Sequence, residues 1–353
     1  MKNYSREIIF ILSTIFVVFL YILEIPYNYL PKNYFVFLSI FRILYFTIFI
    51  IFLIKLKELN IIQYGSDYKE FNLLINLKIL ISFFIIVGFY THIFCLIHFF
   101  LYLYLFRKSK ASFFGIEQSY HQIVGIFFIL STSNKYYSFD NALNLPNIYN
   151  LTEIKSLNFL ILSISICLIS GFYEKINSNI WKSGNALKIF LNLPQIKTVK
   201  YGELFSNFIS FKSICYLALI NQTMLFFLYF DNLRILFYFG ELIFSILLIT
   251  IAPFHFIGET FILIFLFFIS IDISATLNKE VYEISENSLF NLNAIDFILL
   301  FILLNSLFSV FYKPSKVLGF INRYSLGLYP FKVYTETHVY GIRVFKISGF
   351  LDT

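Results

Sequence analysis

The residues best placed to do chemistry lie between Ser170 and Leu187, in the stretch SGFYEKINSNIWKSGNAL. An apolar run ends at the Ser170–Gly171 pair, Lys175 follows within one helical turn, and the only tryptophan, Trp181, precedes Gly184 by three residues. An ionisable group at the edge of an intramembrane segment is a functional candidate by default. The structural alternative is a lysine that snorkels to the interface beside Trp181 as an interfacial anchor, with Glu174 as a local ion-pair partner. His255 and Glu259 follow Pro253 one helical turn apart. Facing a cavity they would relay protons; at a helix entry they would cap and pin it. His92, Cys95 and His98 form an H-x-x-C-x-x-H series that invites a metal. Positions i, i+3 and i+6 fan across a helix, and no second cluster completes four ligands, so no metal site is assigned.

The elements that must hold these groups are set by composition. Of 353 residues, 59% are hydrophobic, 22% aromatic and only 13% charged, and mean hydropathy is +0.78. A soluble globular enzyme, a disordered chain and a collagen-like repeat are all excluded by that balance. Ten apolar runs approach the length needed to cross about 30 Å of hydrocarbon. They lie near residues 8–25, 35–54, 71–89, 91–106, 119–133, 156–173, 213–230, 235–252, 256–273 and 295–312. Those at 91–106 and 119–133 are short, and the third contains Asn72, Asn76 and Lys78, so the expectation is eight to ten transmembrane helices. Arg42 and Lys78, inside apolar runs, are expected to pair with Glu241 or Asp272 in the interior.

With ten spans and a cytoplasmic N-terminus, about 20 lysines and arginines fall on the inner side and about 5 on the outer. That asymmetry, with the lipid bilayer as partner, accounts for the net charge of +7 without a nucleic-acid partner. No small-residue cleavage site follows the first run, which reads as a retained anchor. Cys95, Cys167 and Cys215 all sit in apolar runs and read as buried thiols. The interval 174–212 carries six lysines and an apolar piece at 187–193 suited to lying on the membrane surface. The expected fold class is therefore all-α: a polytopic helical membrane bundle over residues 1–312, with a short extramembrane tail over 313–353. Alternation of polar with β-branched or aromatic residues between Lys332 and Ile347 gives that tail a β-like character suited to a hairpin.

The 170–187 stretch resembles the signature of the HTTM family, the horizontally transferred transmembrane domain shared with vitamin K-dependent gamma-carboxylases. That signature runs as Gly, two or three residues, Lys-Leu, a short polar turn, Trp, two residues, then Gly-x-Ala-Leu. Gly88 to His92 resemble the family's glycine-and-basic start of a span, and Ser138-Phe139-Asp140 its Ser-Leu-Asp loop. Glu241 and His255 to Gly258 resemble its later Glu and His-x-x-Gly elements, and Tyr329-Pro330-Phe331 its junction to the extramembrane part. This chain departs in having Glu174 before the lysine and four steps from Gly171 to Lys175.

The resemblance implies that Lys175 is a base acting on a quinone or vitamin K hydroquinone-like partner, because a lysine kept from water can be neutral near pH 7. His255 and Glu259 are carried beside it as candidate catalytic residues. A 40-residue tail has no room for the carboxylases' large peptide-gripping domain. The resemblance to short bacterial HTTM-like proteins instead implies maturation or modification of a secreted peptide with a small membrane partner protein, in the cell (inner) membrane. Charge counting puts residues 174–212 in the cytoplasm, opposite to the lumenal face where the carboxylases work. The alternative from a different class is a non-catalytic membrane protein: an export or immunity factor, a scaffold, or a transporter, although no internal symmetry of the transporter kind is visible.

Overall fold

A backbone inside hydrocarbon must satisfy its N–H and C=O groups within the segment, so each apolar run closes into a helix. The computed structural model describes residues 2–27, 29–63, 68–108, 115–144, 153–186, 211–251, 257–278, 281–284, 293–312 and 315–324. The helices are α1 Lys2–Ile22, α2 Tyr34–Gln63, α3 Tyr68–Val87, α4 Thr91–Lys108, α5 Gly115–Leu130, the short α6 Phe139–Ala142, α7 Glu153–Asn177, the short α8 Asn179–Lys182, α9 Phe211–Thr223, α10 Asp231–Ile251, α11 Ile257–Asn278, α12 Ala294–Phe311 and α13 Lys316–Tyr324. A 3-10 segment, Met224–Tyr229, continues α9. With that segment counted into α9, ten of these helices overlie the ten apolar runs.

Among the described residues, five stretches are long and apolar enough to cross a membrane: Tyr34–Lys55, Glu70–Val87, Glu153–Asn177, Gly258–Leu277 and Ala294–Phe311. Glu7–Ile22, Thr91–Leu105 and Ser119–Leu130 are shorter apolar helices. Large apolar side chains also point away from the protein, among them Leu12 and Phe19 on α1, Phe239 and Ile243 on α10, and Ile298 on α12. In water that outer surface would be an aggregation liability; in lipid it is the face required. The chain is a helical bundle fit for the bilayer.

Helix α7 is the axis. Of its residues from Glu153 to Ser170, all but Lys155 and Ile169 are buried, and α1, α5, α9 and α12 pack on it. Its small polar residues Ser156, Ser163, Ser165 and Ser170 let neighbours approach closely. Asn158 holds the start of the chain by accepting from Tyr27 N at 3.1 Å and donating to Tyr27 O at 2.6 Å. On one flank α2, α3, α4 and α5 pack in sequence; on the other α10 and α11 pair, and α11 closes the ring against α2.

Two short strands were not expected from sequence. β1 (Tyr29–Pro31) and β2 (Val281–Ile284) pair antiparallel, with Tyr29 opposite Ile284, and place the exits of α1 and α11 at one end of the bundle. Pro31, which has no N–H to give, sits at an irregularity in a two-stranded ribbon, where that loss is tolerated. All three cysteines are buried thiols. The strand-like segment Lys332–Ile347, and the surface piece at 187–193, lie outside the described residues, while the start of the tail forms the helix α13.

If α7 crosses the membrane, exposed Asn144 before it and exposed Lys182 after it face opposite sides. In a chain freed of its native cysteines, Asn144→Cys and Lys182→Cys should react with a membrane-impermeant maleimide from opposite faces. Reaction of both from the same face contradicts the arrangement.

Candidate functional site

Lys175 occupies the last turn of α7, where the helix carbonyls favour a cation. Two glycines shape its surroundings. A Cβ on Gly171 would lie 3.3 Å from Gln222 Nε2 and 3.9 Å from Lys175 Nζ, so the bare backbone leaves the floor on which both side chains rest. Gly184, at φ +78, turns the chain back onto α9 so tightly that a Cβ there would lie 2.6 Å from Lys212 Cα. Between them the short α8 presents Trp181, whose ring centroid is 5.0 Å from Lys175 Nζ.

Across from the lysine stands Glu241 on α10. It is completely buried and lies in electrostatic reach of Lys175, yet neither carboxylate oxygen has a hydrogen-bond partner. The two groups are neighbours without an ion pair. Asn221 lies beside the carboxylate, but its Nδ2, like Oε1 of buried Gln222, completes no hydrogen bond of ordinary geometry. Cys215 on α9 is within the field of Lys175, and Tyr120 on α5 within that of Glu241. Four unsatisfied polar atoms on two neighbouring helices, beside one lysine amine, are far from the near-complete satisfaction usual in protein interiors. Such a set suits the polar head of a ligand.

The sequence expectations fare unevenly. Lys175 and Glu241, quoted in separate motifs, meet in space. Glu259 is half-buried in the first turn of α11, which packs mainly on α10 and α2; His255 lies outside the described residues. The 88–92 and 138–140 motifs also meet, as a structural bracket. Asp140 accepts from Tyr90 N (2.6 Å), Thr91 N (2.8 Å), Thr91 Oγ1 (2.8 Å) and Asn134 Nδ2 (3.2 Å), while its own N–H donates to Gly88 O at 2.9 Å.

The expected pairing of Arg42 and Lys78 with Glu241 or Asp272 is corrected. Arg42 donates to the carbonyls of Ser133 (2.8 Å) and Tyr137 (2.7 Å), because an irregular loop buried against the bundle needs donors for its backbone. Asp272 belongs to Arg234, at 3.2 Å. The His92, Cys95, His98 series disperses: His92 Nδ1 donates to Ile129 O at 3.1 Å, Cys95 lies near Arg42, and His98 faces Lys78. Among the described residues no three His, Cys, Asp or Glu side chains are grouped to hold a metal.

Sequence reading missed that Lys78, His98 and His121 converge. The available signal was depth, since Lys78 and His98 lie at nearly equal distances on either side of the turn at residues 88–90. Comparison of the chain with family models, curated proteins and solved structures finds no match to any of them.

Proposed function

We propose that this chain is a multi-pass membrane protein that uses Lys175 to exchange a proton with the polar head of a lipophilic substrate, in quinone-linked modification or maturation of a secreted peptide. The observation that carries the reading is the buried Glu241 carboxylate, which has no hydrogen-bond partner and lies within the field of Lys175 without an ion pair to it. The class of chemistry comes from the HTTM resemblance. The lysine and arginine asymmetry supports a cytoplasmic N-terminus in the cell membrane, which puts Lys175 on the side where a peptide resides before export.

The residues fit a hydroquinone head. Unpartnered Glu241 and Gln222 Oε1 are acceptors for O–H groups, Asn221 Nδ2 is a donor, and Trp181 offers a flat apolar surface. When bound, a hydroquinone supplies a weakly acidic O–H and a redox-active ring. Neutral Lys175 takes a proton at Nζ, and the ammonium so formed is held by the Glu241 carboxylate through a water-poor medium in which that attraction is strong. Gln222 and Asn221 orient the head, and Trp181 limits access of water to the amine.

The test is oxygen-dependent oxidation of menadiol by the purified chain in detergent, followed by absorbance and compared with a protein-free blank. Wild type should accelerate it. Lys175→Met should lower the protein-dependent rate about 10²-fold or more, and so should Lys175→Arg, whose guanidinium cannot give up its proton. Equal rates in wild type and Lys175→Met, with both variants inserted and monodisperse, would sink the proposal, as would a wild type no faster than the blank.

A further inference from the structure

A second cluster of buried polar side chains lies between α2, α3, α4 and α5, and the proton-transfer reading makes no use of it. Its centre is Lys78, which is fully buried. At 1.5 Å per residue it stands about 15 Å from either end of α3, near the middle of a hydrocarbon layer about 30 Å thick. Its Nζ lies 4.0 Å from the ring centroid of Tyr102 and 4.4 Å from that of Phe49. It has no hydrogen-bond partner, and no ion pair involves it among the described residues.

The groups around it are of one electrostatic kind. His98 and His121 are both within its field. His98 is buried, its Nε2 has no partner, and its ring stands edge-on to Phe46 and Phe49, each at 5.1 Å. His121 Nδ1 meets the Tyr45 hydroxyl, and its ring lies 5.2 Å from that of Tyr102. The described carboxylates of this flank are engaged elsewhere: Glu70 accepts from Tyr104 OH at the exposed start of α3, and Asp140 from the 88–92 bracket.

Aromatic faces attract an ammonium but accept none of its hydrogen bonds in ordinary geometry. A charged group buried at mid-depth is costly unless a counter-charge accompanies it. Lys78 Nζ and His98 Nε2 both lack partners, His98 lies within the field of Lys78, and no described group of opposite charge accompanies them. A cation is therefore the wrong guest, and a carboxylate, whose oxygens accept from N–H donors, is the right one. We infer that this cluster is an intramembrane carboxylate-binding site, filled either by the head of a fatty acid arriving from the lipid or by a small free carboxylate.

Thermal melting of the full chain, delipidated in a non-ionic detergent, tests this with laurate and acetate as probes and dodecanol and sodium chloride as controls. A ligand that binds only the folded state raises the melting temperature. The expected result is a rise of about 3 °C or more with a saturating carboxylate, absent with both controls. Lys78→Met should abolish it, while Lys175→Met should keep it. A response to acetate and laurate identifies a free carboxylate as sufficient; a response to laurate alone identifies the lipid source. Should Lys78→Met not accumulate, His98→Gln, which leaves the lysine in place, should reduce the shift at a subsaturating probe by half or more. A shift that persists undiminished in these variants, or no shift with either carboxylate, overturns the inference.

Discussion

Gly88→Ala is expected to destabilise the chain by about 4 kcal/mol, combining a backbone penalty with an overlap that cannot relax. Gly88 sits at φ +70, a region costly for any residue with a Cβ. The added carbon would fall 2.2 Å from Ser138 Cβ and 2.8 Å from Ser138 Cα. Ser138 cannot step aside, because it caps α6 by accepting from Asn141 N, and α6 carries Asp140 with its four donors. Arg42 closes the other side, with Nη1 3.0 Å from the same point. Melting of the detergent-solubilised variant should show the loss. Adding Ser138→Gly removes the closest overlap but leaves the φ penalty and the clash with the backbone of residue 138, so partial rescue is expected. An unchanged melting temperature in Gly88→Ala would mean that the bracket is not packed as described.

How much of this was legible in the chain depends on what lipid does to sequence signals. The helices were, because ten apolar runs bounded by polar intervals leave a backbone few other options, although among the described residues five are long and apolar enough to cross a membrane. Which face of each span looks inward was not. Leu12, Phe19 and Ile298 face outward while Leu20 and Leu303 are buried, since both lipid and core are apolar and the amphipathic period that orients a soluble helix disappears. Polar residues must then be matched by depth and partner. Sequence reasoning paired Arg42 and Lys78 with Glu241 or Asp272 and did not single out Arg234, the residue that Asp272 meets. It failed for Arg42, whose partners are backbone carbonyls that any residue could supply. The meeting of Lys175 with Glu241 was illegible for a different reason: the polar interval between α8 and α9 has no period from which to count a register. The β1–β2 pairing joins segments some 250 residues apart, each too short to signal a strand alone.

Asp272→Ala should cost about 3–5 kcal/mol, the usual consequence of leaving one member of a buried ion pair behind. Arg234 is 4% exposed at its side chain and Asp272 15%. The guanidinium does three further things. It donates from Nε to Leu228 O at 3.0 Å and from Nη2 to Pro26 O at 3.3 Å, and it lies 4.7 Å from the centroid of Tyr27, whose hydroxyl meets that of Tyr238 at 3.0 Å. It thus ties the end of the 3-10 segment and the turn after α1 to the α10–α11 pair, as Arg42 ties the loop before α7 to α2. Removing Asp272 takes away the counter-charge but leaves the cation in place. Removing both members should be less harmful than two independent losses: the Arg234→Met, Asp272→Leu double variant is expected to fall short of the summed single effects by about 2 kcal/mol. Asp272→Asn, which keeps an acceptor for Nη1, should lose about 1–2 kcal/mol. Strict additivity in the cycle would show that the two side chains do not act as a pair. Because neither the Lys175 site nor the Lys78 cluster contains this pair, Asp272→Asn should oxidise menadiol and respond to laurate as wild type does, at any temperature where it stays folded. That result would assign Arg234 to holding irregular backbone and separate its pair from both proposed ligand sites.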